Sequence, residues 1–153
     1  MTDDRCLEGL TRGESLRLLA SVPVGRVAFS HRALPAIRPV NHLLASDQII
    51  IRADLGTALS NEVGPESGMV VAYEVDMLEA EDRVGWSVVV VGRARRVTDE
   101  AAADRYRQIL HPWVSGSMAD VLAIQAEIVT GFRLVPRACA AGRHDGSQPA
   151  RLG

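Results

Sequence analysis

Apolar and polar positions along the chain alternate first with a helical period and then, for most of its length, with the period of two that marks β-strands. In TRGESLRLLAS, Thr11 and Glu14 form a capping-box pattern, and Leu16, Leu19 and Ala20 fall on one helical face. Pro23 follows closely, so this helix is short. VGRVAFS, a turn around HRALP, AIRPVNHLL, a turn at ASD and QIIIRA then read as three strands joined by short turns, an antiparallel meander. GTALSNEV predicts a helix between Gly56-Thr57 and Gly64-Pro65. SGMVVAYEVDML and WSVVVVGRARRV are β-rich and flank a polar loop, and the VVVV run predicts a strand covered on both sides. Thr98 reads as the N-cap of a helix over DEAAADRYRQIL. VLAIQAEIVTGFRLV supplies the last one or two strands, broken near Gly131. The expectation is a mainly β, α+β domain: an antiparallel six-stranded barrel with a few short flanking helices. It spans residues 1–136, and the aperiodic stretch 137–153 reads as a flexible tail.

Composition adds bounds rather than a function. With 153 residues, 47% hydrophobic and 24% charged, the chain can fill one ordinary core. Its 17 basic and 19 acidic residues leave a net charge of −2, which gives no footprint for nucleic acid or for an anionic membrane. No apolar run approaches the roughly 20 residues of a spanning helix. MTDDRCLEGL lacks a signal-peptide pattern, and Cys6 and Cys139 fit no metal spacing, so both read as free thiols in a cytoplasmic protein.

HExxH, GxSxG, Walker and GxGxxG motifs are all missing from the sequence. His31, His42, His111 and His144 do not pair at metal-ligand spacing, so no metal site is expected. The acidic run from Glu74 to Asp82 reads as a solvated edge. AIRPVNHLL is less ordinary, because a strand carrying Arg38, Pro39, Asn41 and His42 is either a wet edge or a surface for a polar ligand. Arg38 and Arg52 lie on consecutive predicted strands. If they converge on one side of the sheet, two guanidinium forks there would suit a phosphate. Gly56, Thr57 and the following helix start add a hydroxyl and unpaired amides. The alternative is two arginines in solvent and Thr57 as a plain cap.

RPVNHLL, QIIIRADLGTAL, VVAYEVD, GWSVVVVGRARRV and VTGFRLV, in that order, resemble the pyridoxamine 5′-phosphate oxidase-like flavoproteins, in particular the branch that includes nitroimidazole-resistance-type proteins. The resemblance covers roughly residues 10–136. It implies a split β-barrel homodimer with flavin mononucleotide (FMN) in clefts between subunits. The cofactor phosphate would meet Arg52, Thr57 and the amides around Ala58. The flavin ring would lie along Arg38, Pro39, Val40 and Asn41, with Trp86 and Ser87 in the second part of the site. Related sequences often carry Lys where this chain has Ala58, which removes one charge from the phosphate site. The activity implied is an oxidoreductase that passes electrons from a nicotinamide donor to a small nitroaromatic or quinone-like acceptor. A non-catalytic flavin-binding module, and the same fold with deazaflavin or haem, stay open as alternatives. Vitamin B6 oxidation would need a second phosphate set, for which only Arg93, Arg95 and Arg96 offer themselves.

Overall fold

Strand-forming alternation becomes eight strands, which with three helices run in the order β1 (Arg5–Leu10), α1 (Arg12–Ala20), β2 (Val24–His31), β3 (Leu34–Ala45), β4 (Gln48–Asp54), α2 (Ala58–Glu62), β5 (Met69–Glu79), β6 (Val84–Arg96), α3 (Glu100–Ile109), β7 (Ala119–Gln125) and β8 (Ile128–Pro136). The computed structural model describes residues 5–54, 58–64, 66–111 and 119–137, so the expected tail lies outside the described residues. The sheet order is β1-β8-β6-β5-β2-β3-β4-β7, and β6 also pairs with β7. That second pairing closes six antiparallel strands into a barrel, with β8 and β1 added outside it. No helix among the described residues is long and apolar enough to cross a membrane.

Closure depends on β6 changing partner along one edge. Its Gly85–Val91 stretch pairs with β8, and its Ala94–Arg96 stretch pairs with β7. Gly92 stands at the changeover, where a Cβ would overlap the Gln125 carbonyl oxygen at the end of β7. Only a residue without a side chain lets the two strands meet there.

Inward residues of every second position build the core: Val27 and Phe29 from β2, Ile49 and Ile51 from β4, Val71, Tyr73 and Val75 from β5, Val88 and Val90 from β6. Val89 and Val91 are only half-buried, so the VVVV run is covered fully on one side and not on both. The strand enclosed from both sides is β4, whose Ile50 faces outward into a second cluster with Ala103, Leu110 and Val121 beneath α3.

Several local expectations are corrected. The α3 N-cap is Asp99, not Thr98: its carboxylate accepts the Ala101 and Ala102 amides at 3.0 and 3.2 Å. The last two strands break at Ala126-Glu127, while Gly131 sits within β8 opposite Leu10. Helix α1 has the Thr11–Glu14 capping box but buries Ser15, Leu16 and Leu19, leaving Ala20 exposed. Strand β1, unforeseen in the sequence, pairs with β8 alone.

One polar group crosses the core. His42 Nε2 lies 2.8 Å from the Leu19 carbonyl, and the Tyr73 hydroxyl lies 2.7 Å from Nδ1. A carbonyl only accepts, so Nε2 carries the hydrogen, and in the neutral ring Nδ1 accepts from Tyr73. Burial pushes the His42 pKa down, with the Leu19 bond opposing, and burial raises that of Tyr73. The pair therefore stays neutral and ties α1 to β3 and β5.

Candidate functional site: the split between β3 and β4

Strands β3 and β4 are paired only from Ala45↔Gln48 to His42↔Ile51. Beyond that point they part. Among the described residues, the Leu34–Asn41 half of β3 pairs only with β2, and Arg52–Asp54 of β4 pairs only with β7. A hollow of about 130 Å³ occupies the opening, lined by Arg38, Pro39 and Val40 on one lip, Arg52 and Ala53 on the other, Ala58 and Leu59 of α2, and Phe29 below.

This geometry accounts for the proline in β3. The His42 amide donates toward β2, to the Pro23 carbonyl at 3.0 Å. Backbone direction alternates along a strand, so an amide hydrogen at position 39 would face the split, where no ladder partner exists. Pro39 thus forfeits no sheet hydrogen bond.

Sheet alternation places Arg38 on the His42 side of β3 and Arg52 on the side of β4 opposite Ile51, His42's partner. The expectation that regular pairing sets both arginines on one face is corrected: they line one hollow because the strands separate. Their surroundings also differ. Arg38 is exposed, and among the described residues its Nη1 donates only to the carbonyl of the neighbouring Ile37, at 2.8 Å. Arg52 reaches under α3, its Nη1 donating to the Leu110 and Arg107 carbonyls at 2.7 and 3.4 Å. Asn41 Nδ2 joins it by donating to the His111 carbonyl at 3.0 Å. Arg52 thereby satisfies carbonyls that the end of a helix leaves without intrahelical partners, and Asn41 holds the residue just past the C-cap. The Arg52 Nε is nevertheless buried with no hydrogen-bond partner among the described residues.

Ala58 opens α2 and touches the hollow with an apolar methyl. The helix itself is clamped from its far end: Arg96 donates to the Ser60 and Val63 carbonyls at 2.6 and 3.3 Å and pairs with Asp120 at 3.1 Å. Thr57 lies outside the described residues. Trp86 and Ser87 are on β6, separated from β3 by β5 and β2, and do not line the hollow of their own chain. Trp86 packs against the core, and Ser87 pairs across to Asp76 and Phe132 on the outer face. Sequence reasoning missed Phe29, Ala53 and Leu59, buried apolar residues that line the hollow and carry no polar group to mark them.

A family model for pyridoxamine 5′-phosphate oxidase matches residues 11–141. The chain belongs to the pyridoxamine 5′-phosphate oxidase family. An uncharacterized protein of Mycobacterium tuberculosis is 52% identical over 128 residues, covering 82% of this chain and 84% of that one. A solved FAD-binding protein from Mycobacterium smegmatis is 30% identical, with a TM-score of 0.66 over 82% of this chain and 95% of its own. A protein from Bacteroides thetaiotaomicron, titled for 5-nitroimidazole antibiotic resistance, reaches the same TM-score of 0.66 at 10% identity over 86% of this chain and 89% of its own, a likeness of fold alone. The split and the barrel around it are thus features of a pyridoxamine 5′-phosphate oxidase family member.

Proposed function

We propose that this chain is a flavin-dependent oxidoreductase that works as a homodimer, with FMN seated in the split between β3 and β4. The observation that carries this reading is the split itself: a strand lip with exposed Arg38 and Pro39, faced by Arg52 with its partnerless Nε. These residues fit a flavin. Arg38 and Arg52 would meet its phosphate, and the open lip of β3 would take the ring edge along Pro39, Val40 and Asn41. When bound, the flavin supplies the redox chemistry, accepting hydride from a reduced nicotinamide and returning electrons to a nitroaromatic or quinone-like acceptor. The FAD-binding relative at 30% identity supports the flavin. FMN and FAD share the ring and the first phosphate, so the residues named here suit both.

At about 130 Å³ the hollow is smaller than the roughly 300–1,000 Å³ of complete small-molecule sites, which is why a second copy enters the reading. Adjoining the split is an apolar hollow of about 450 Å³ that shares Phe29 with it and continues along β3 through Pro35, Ala36 and Ile37. It belongs to an outer sheet face where Ile37, Ala28, Ala72, Val91 and Ile128 stand in one row across five strands. Ile37 and Ile128 are each 61% exposed and stand in one contiguous apolar row rather than singly. Arg26, with Glu74 at 3.0 Å and Asp76 at 3.6 Å, marks the polar row beside it. Another copy seated on this face would wall the split and bring its own Trp86 and Ser87 toward the ring.

Ala72→Glu is expected to convert the dimer to a monomer at micromolar concentration in sedimentation, and to lose flavin with it. A dimer that persists contradicts the interface. Arg38→Gln is expected to weaken flavin binding by about 1.5–3 kcal/mol, the usual worth of a charged hydrogen bond, without lowering stability. Arg52→Ala is a poorer probe because it also releases α3. For turnover, the holoprotein is mixed anaerobically with a reduced nicotinamide: bleaching of the flavin bands within seconds supports the oxidoreductase, and none over an hour leaves only a flavin-binding module. A cytoplasmic setting, which would keep Cys6 the free thiol it is here, goes with this reading.

A further inference from the structure

A second cleft, of about 460 Å³, opens where β6, β7 and the start of α3 meet, and none of its lining residues is shared with the split. Its size falls within the roughly 300–1,000 Å³ of small-molecule sites. Arg93 and Arg95, two positions apart on β6, leave the strand on the same side. Both stems lie over Gly68, which has a φ of 67°; a Cβ there would stand 2.8 Å from Arg95 Cγ and 3.0 Å from Arg93 Cγ. The bare backbone at Gly68 makes room for both stems at once.

Little else among the described residues claims them. Arg93 commits one nitrogen to the Ser67 carbonyl at 3.1 Å, and Arg95 has no hydrogen-bond or ion-pair partner among the described residues. Arg96 turns away to Asp120 and α2. The Asp99 carboxylate is engaged with the first amides of α3. Across the cleft, Gln48 Nε2 donates to Gln125 Oε1 at 3.3 Å, which leaves further amide hydrogens for a ligand, and Thr98 adds a hydroxyl. Two like charges on one side of the strand and in one cleft, with most of their donors unused, suit a planar or tetrahedral anion that accepts from both. Glu127, also in the lining, would pair with a cationic or hydrogen-donating group carried beside the anionic head.

We propose that this cleft binds a small molecule through a carboxylate or phosphate head group held by Arg93 and Arg95, independently of the flavin in the split. The test titrates the full chain with inorganic phosphate and with succinate at fixed ionic strength, followed by amide NMR shifts. Saturable shifts around β6 and Gln125 are expected with at least one probe, at least tenfold weaker in Arg95→Gln and unchanged in Arg38→Gln. Saturation by phosphate alone assigns a phosphate head group, and saturation by succinate alone a carboxylate. Linear shifts with both probes, or equal affinity in Arg95→Gln, overturn the proposal. Arg95 is exposed, so the variant keeps its fold, which unchanged amide positions elsewhere verify.

Discussion

Gly92→Ala is expected to destabilise the protein by about 3 kcal/mol, the upper end for forcing extra volume into a packed site. The added Cβ would overlap the Gln125 carbonyl oxygen, a backbone atom held in β7, with the Glu127 nitrogen 3.4 Å away on the chain leading into β8. No flexible side chain can move aside. Relief requires β7 to separate from β6, and that pairing is what closes the barrel. At roughly 2–4 °C per kcal/mol for a chain of this size, the melting temperature should fall by about 6–12 °C. Gly9→Ala is the matched control, because nothing lies within 4 Å of a Cβ at that position of β1. Equal melting temperatures for the two variants would contradict the account of the seam.

His42→Leu is the second large effect, expected at about 2–3 kcal/mol. Leucine fills the space but leaves the Leu19 carbonyl and the Tyr73 hydroxyl unmatched, and each stranded buried polar group costs about 1–3 kcal/mol. Tyr73 keeps one fallback, the Val40 carbonyl at 3.3 Å, which holds the total below the sum. Tyr73→Phe on the leucine background should then cost less than on the wild type, since the partner is already gone. The pH dependence follows from burial, which depresses the His42 pKa below its ordinary 6.5. Below pH 6.5 the unfolded chain takes up a proton that the folded one refuses. This contribution to stability is complete above 6.5 and is lost as pH falls from there through the folded-state pKa. Denaturant titrations should show that decline in the wild type and its disappearance in His42→Leu; parallel pH profiles would contradict a buried neutral imidazole.

Much of this architecture was legible in the sequence because strand alternation and turn chemistry are local. The β2–β3–β4 meander, the capping box at Thr11 and the short helix after β4 needed only neighbouring residues. Strand β1 was hidden because CLEGL has no β-branched residue and owes its form to β8, more than 120 positions away in the register Leu7↔Leu134. The Thr98–Asp99 choice was undecidable locally, since both residue types cap helices well. At the site, Arg38 and Pro39 were readable as polar misfits in a strand. The anchoring of Arg52 and Asn41 was not, because their carbonyl partners lie 58 and 70 residues away. Likewise the parting of β3 from β4, which brings two arginines from opposite sheet faces to one hollow, is a property of pairing that no single strand records.

The most direct check of the flavin site is a fluorescence titration of cofactor-free protein with FMN and with FAD, in the wild type and in Arg38→Gln. Saturable quenching at one flavin per chain, weakened about tenfold or more in Arg38→Gln, is the expected result. No saturable binding of either flavin, or the same affinity with Gln at position 38, would contradict it.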